Sequence, residues 1–104
     1  DRTHHVPGKV EGGSAVIDDN PNMVDIHYHS LKGAKVYNIM ETTDADNLGD
    51  PTKYYTANPA FFLNGKGGTI TPKSPDKVTW WRIYAENSNG KGEWSDPFGG
   101  IKLA

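Results

Sequence analysis

The sequence predicts an all-β protein, a two-sheet antiparallel β-sandwich of about seven strands, and three observations carry that expectation. Apolar and polar residues alternate along several short stretches, which is the period of a half-buried strand. Clusters of Gly, Pro, Asn and Asp separate those stretches as turn signals do. Between them no segment carries helical spacing with its caps, so a βαβ architecture is not indicated.

At the N-terminus, residues 7–10 and 14–17 read as one strand broken at Gly12-Gly13, where a bulge or bend is expected. Asn20-Pro21-Asn22 is a turn, and from Met23 to Ser30 the residues Val24, Ile26 and Tyr28 alternate with Asp25, His27 and His29. From Lys35 to Glu41 a second strand places Tyr37 and Ile39 on one face and Val36, Asn38 and Met40 on the other. The polar run Asp44 to Pro51 is a loop, and residues 53–56 and 68–71 read as short strands. Between those two, Phe61-Phe62-Leu63 is apolar and takes no assignment. Val78 to Asn87 is the clearest strand, with Trp81, Ile83 and Ala85 on one face and Trp80, Arg82, Tyr84 and Glu86 on the other. Asn89-Gly90 tolerates a tight reversal, after which a last strand runs through Ile101 and Leu103. Pro97 and Gly99-Gly100 put that strand at an edge.

A chain of 104 residues supports one hydrophobic core, so residues 1–104 are read as a single domain. Mean hydropathy is low at -0.70, and the three Trp, five Tyr and three Phe must supply much of the buried surface. A net charge of -2 gives no basic field for polyphosphate, which argues against nucleic acid and against anionic membrane surfaces as partners. No apolar run approaches the length of a membrane span. The absence of cysteine excludes disulfides, thiolate metal sites and thiol nucleophiles. The chain opens at Asp1 with neither Met nor a signal-like segment and reads as an excised or processed piece of a longer protein.

Residues 81–97, Trp-Arg-Ile-Tyr-Ala-Glu-Asn-Ser-Asn-Gly-Lys-Gly-Glu-Trp-Ser-Asp-Pro, resemble the late part of a fibronectin type III domain. In that family an alternating strand ends in Ala-x-Asn, followed by a Gly-containing loop and a Ser-Asp-Pro-like entry to the last strand. Ala85, Asn87, Gly90, Gly92, Ser95 and Pro97 match that pattern. Residues 24–28 are similar to the family's second strand, with Tyr28 where Trp is usual, residues 33–39 are similar to its third, and Pro7 suits its opening strand. Thr79 stands where the family usually carries a corner tyrosine. The resemblance implies that Val24, Ile26, Tyr28, Tyr37, Ile39, Trp81, Ile83 and Ala85 face the core. It also implies a non-catalytic module of a larger extracellular or cell-surface chain. An Arg-Gly-Asp adhesion loop is not inherited, because the corresponding loop reads Ser88-Asn89-Gly90-Lys91-Gly92.

Reactive chemistry finds little support. His27 and His29 project from the same strand face beside Asp25, a spacing that can bring two imidazoles to one metal. The competing account is the solvated face of a sheet, and it is preferred here and for His4-His5. Asp44, Asp46, Asn47 and Asp50 form an oxygen-rich loop without the spacing or the closing bidentate Glu of a calcium loop. Asn64 to Thr69 has the glycines but not the following helix of a phosphate cradle. No Gly-x-Ser-x-Gly elbow or paired catalytic set is present. The expectation is therefore no catalytic residue, no metal site and no cofactor.

The surface feature that stands out is aromatic. Trp80, Arg82 and Tyr84 share the outward face of their strand, and Trp94 lies beyond the adjacent loop, so these four residues are the candidate ligand or partner surface. Two functions compete for it. One is a spacer or protein-interaction module that meets neighbouring domains of its parent chain or another protein, in a surface, secreted or virion protein. The other is a carbohydrate-binding accessory module of a glycan-active enzyme, whose exposed rings would stack on polysaccharide.

Overall fold

A computed structural model describes residues 5–57 and 67–104. Among these residues eight strands form two antiparallel sheets: β1 (Ser14–Ile17), β2 (Val24–His27), β3 (Val36–Thr42), β4 (Tyr55–Thr56), β5 (Gly67–Ile70), β6 (Thr79–Asn87), β7 (Gly90–Lys91) and β8 (Phe98–Ile101). The smaller sheet has the order β1-β2-β5. The larger runs β4-β3-β6-β7, with β8 also paired to β6.

The register follows from the alternation. Val24 and Ile26 in β2, Tyr37 and Ile39 in β3, and Trp81, Ile83 and Ala85 in β6 all turn inward and are buried, together with Tyr28, just past β2, and with Val10 and Ile70. Every residue expected in the core is there. Fully burying a side chain of the size of Ile or Val contributes about 1.5–3 kcal/mol, so these rows dominate the stability of the domain. Tyr28 and Tyr37 meet ring to ring at 4.9 Å between centroids, and the Tyr37 hydroxyl accepts the Leu31 N–H at 2.7 Å, which pins the β2–β3 connection. Thr79, at the corner position, is buried and donates its hydroxyl to Lys77 O at 3.1 Å.

Three departures from the sequence expectation have physical causes. Residues 7–10 do not form a strand, although Val10 is buried in the core. The chain bends instead at Gly12, where φ is +73°, before β1 begins its ladder with β2, and ahead of that bend Glu11 O accepts the N–H of His29, just past β2, at 2.9 Å. The polar loop after β3 contains two single 3-10 turns, Ala45–Asn47 and Pro51–Lys53. Each is capped by an aspartate: Asp44 accepts the Asp46 N–H, and Asp50 accepts the Thr52 N–H and hydroxyl at 3.0 and 2.7 Å. These bonds hold the Asp50 carboxyl below the usual carboxylate range. The expected last strand through Ile101 and Leu103 is split into β7 and β8, which raises the count to eight among the described residues, and it stops at Ile101, the Leu103 N–H donating instead to Pro75 O at 3.1 Å. Between Ala85 and Ile83 strand β6 advances two residues while its partner advances three. The Gly92 N–H donates to Ala85 O at 2.8 Å and the Ser95 N–H to Ile83 O at 2.7 Å. The extra residue makes this a bulge. The Ser95 hydroxyl accepts the Ile83 N–H at 2.9 Å, replacing the missing ladder carbonyl. The unassigned residues 61–63, and 64–66 of the glycine-rich stretch, lie outside the described residues. Gly67 and Gly68 of that stretch open β5.

Candidate functional site

The bulge directs Trp94 over the outer face of the larger sheet. Its ring stacks on Tyr84, with centroids 5.3 Å apart and planes within 12°, and meets Tyr54 edge-on at 5.5 Å and 81°. Cations interleave with the rings. The Arg82 guanidinium carbon lies 5.0 Å from the Trp94 centroid and 5.8 Å from that of Tyr54, and Lys91 Nζ lies 5.6 Å from that of Tyr84. Arg82 is held in place from behind, because its Nε donates to Ser95 O at 2.7 Å. The Tyr54 hydroxyl donates to Leu48 O at 2.7 Å, fixing the loop after β3 over the same face. Burial raises the pKa of Tyr54 above its ordinary value, with Arg82 acting in the opposite direction.

Of the four residues singled out from sequence, the structure therefore joins Arg82, Tyr84 and Trp94, and leaves Trp80 apart. Trp80 sits between Thr42 of β3 and Gly99 of β8, and its ring packs so closely over Gly100 that a Cβ there would approach it to 3.0 Å. Its indole Nε1–H is buried with no hydrogen-bond partner among the described residues. Tyr54 and Lys91 complete the cluster and were not singled out from sequence. Tyr54 arrives through a 3-10 turn rather than a strand, so no alternation identifies its direction.

A second polar centre lies at the end of β3. Glu41 is 1% exposed, and its carboxylate accepts hydrogen bonds from Trp81 Nε1 at 2.9 Å, from the Lys73 backbone N–H at 3.0 Å and from the Tyr55 hydroxyl. It ties β3, β4, β6 and the segment after β5 together. Burial, then the Glu41 hydrogen bond, raises the Tyr55 pKa well above that of a free phenol. This residue was legible as an anomaly: Tyr37, Ile39 and Glu41 form one inward row with a carboxylate at its end.

The histidine pair is not assembled into a donor set. His27 and His29 are both exposed, the His29 ring packs against Gly12, and Asp25 accepts the Thr69 hydroxyl at 2.8 Å. Among the described residues no three His, Cys, Asp or Glu side chains are grouped to hold a metal ion.

The sequence matches no family model and no curated protein. Solved structures do match. An Fn3-like protein from Clostridium thermocellum is 20% identical, with a TM-score of 0.67 over 90% of this chain and 88% of that one. Titin module A71 from human cardiac muscle is 15% identical, with a TM-score of 0.68 over 90% and 89%. The FN1–FN3 domains of chicken CNTN1 are 20% identical, with a TM-score of 0.71 over 95% of this chain and 33% of that structure. At these identities what is shared is the path of the backbone. The chain has the fibronectin type III fold.

Proposed function

We propose that this domain is a non-catalytic spacer or protein-interaction module of a larger surface, secreted or virion protein, and that it meets a neighbouring domain or another protein through the outer face of its larger sheet. The observation that carries the proposal is the packing of Tyr54, Tyr84 and Trp94 against one another. Tyr54 and Tyr84 are each only 9% exposed, and the Trp94 ring is occupied by Tyr84 on a face and Tyr54 at an edge. A sugar platform needs ring faces open to solvent, whereas a protein contact needs a rigid amphipathic patch with little left to order, and this cluster supplies the latter. Longer solved structures that contain the same fold, such as the chicken CNTN1 FN1–FN3 domains, support a modular setting.

The carbohydrate alternative retains one supporting feature, the half-exposed Trp80 on the same sheet face. A glycan array with titration of soluble polysaccharides, followed by Trp fluorescence, separates the two. The proposal expects no saturable response. Saturable binding that is lost in both Trp80→Ala and Trp94→Ala, with the fold intact by circular dichroism, would replace it with a carbohydrate-binding module.

A further inference from the structure

At the opposite end of the sheets from Glu41, three segments enclose a groove of about 590 Å³: the entry segment around Val6 and Pro7, the β2–β3 connection with Lys32 and Lys35, and the β6–β7 turn at Asn87 and Ser88. The wall is built in advance of any ligand. The Asn87 amide donates to His5 O at 3.0 Å and to Gly33 O at 3.2 Å, which joins all three segments, and the Asn89 N–H donates back to Asn87 Oδ1 at 2.8 Å. Val6 is 47% exposed and gives the groove an apolar side. Lys32 and Lys35 give it a cationic one. Both are exposed, neither forms an ion pair among the described residues, and none of the described residues lining the groove is acidic. In a chain of net charge -2 this is a local concentration of unneutralised positive charge.

We infer that this groove docks an extended acidic peptide of a partner protein, with carboxylates on Lys32 and Lys35 and a small apolar side chain against Val6 and Pro7. The lining chemistry favours that ligand class. Among the described residues no Trp, Tyr or Phe lines the groove, so they offer a sugar ring no stacking partner. Among the described residues no arginine lines it, so no planar fork grips an anion bidentately, and the two lysines act as separate point charges that match the spaced single charges of an extended acidic peptide. The site is distinct from the aromatic face, and either can fail without the other.

The test is an amide chemical-shift titration of the 104-residue chain with the acetylated, amidated peptide Glu-Val-Glu-Val-Glu at low ionic strength. Exposed ion pairs are individually weak, so the expected dissociation constant is about 1 mM. Shifts should map to Val6, Gly33, Lys35, Asn87 and Ser88. Raising the salt from about 0.01 to about 0.15 M shortens the screening length from about 30 to about 8 Å and should weaken binding several-fold. The peptide with Gln in place of Glu should not bind, and Lys32→Glu with Lys35→Glu should weaken the acidic peptide at least tenfold. Equal binding of the Gln peptide, shifts confined to Arg82 and Trp94, tighter saturable binding of a heparin oligosaccharide, or no shift at a few millimolar peptide would each overturn the inference.

Discussion

Replacing Glu41 by alanine removes one acceptor and strands at least two donors. The carboxylate is 1% exposed, and the Trp81 indole that donates to it at 2.9 Å is completely buried, so water cannot simply take its place at that bond. The Lys73 N–H, at 3.0 Å, loses its partner as well, while the Tyr55 hydroxyl can rotate toward solvent. Hydrogen bonds to a charged group contribute about 1.5–3 kcal/mol, and each buried donor left alone costs about 1–3 kcal/mol; the two overlap, and partial hydration of the vacated space reduces them. Against these stands the desolvation of the carboxylate that the alanine variant no longer bears. The net expectation is a loss of about 3–4 kcal/mol, and at roughly 4–8 °C per kcal/mol for a small domain the melting midpoint falls by roughly 12–32 °C. Glu41→Gln is the sharper probe. Whichever way the amide turns, its NH2 opposes either the Trp81 indole N–H or the Lys73 N–H, so the isosteric change still costs about 1–3 kcal/mol. Urea denaturation followed by Trp fluorescence and by far-ultraviolet circular dichroism gives both values. A Glu41→Ala variant within about 0.5 kcal/mol of the parent, the range of an ordinary surface substitution, would refute the reasoning.

Gly99→Ala should destabilise by about 2 kcal/mol or more, since its φ is +111° and a Cβ would stand 2.5 Å from the Trp81 ring; Gly49→Ala, in open space, should change the urea midpoint little. Tyr28, Tyr54 and Tyr55 have raised pKa values, first through burial and then, for Tyr28, through the charge of Tyr37 and, for Tyr55, through Glu41. A phenol whose pKa is higher folded than unfolded contributes stability that is complete below the unfolded value of about 10 and is lost as pH rises past it toward the folded value. Stability should therefore fall steadily above about pH 10, and absorbance at the tyrosinate band should show these three phenols ionising together with unfolding. Their titration at about pH 10 in a chain still folded by circular dichroism would contradict the burial assigned to them.

Alternation divides a strand into two faces, and the resemblance to the fibronectin type III pattern says which of them is inside. Val24, Ile26 and Tyr28, Tyr37 and Ile39, and Trp81, Ile83 and Ala85 were legible from the two together, and with them the sandwich. Legibility ended where hydrogen bonds rather than burial decide the path. Asp44 and Asp50 cap short turns through their side chains, an interaction with no periodic trace in the sequence. Val10 enters the core from a segment that forms no strand, which alternation cannot show.

Trp94 makes the same point at the candidate surface. In an unbroken last strand, with Ser95 opposite Ile83 and regular pairing, the chain from Gly92 would be one residue shorter and the residue facing Tyr84 would be set by parity alone. The bulge at Ser95 breaks that parity, and it is stable because one small hydroxyl replaces a ladder carbonyl at Ile83 while the Ser95 carbonyl accepts from Arg82. A single residue thus aligns the guanidinium and the indole that stack together. Ser95 is itself buried and cannot touch a partner, yet the shape of the outer face depends on it. A search for function confined to exposed aromatics would pass it by. The surface is specified from beneath, by backbone hydrogen bonding in the sheet, and its rings come already paired before any partner arrives.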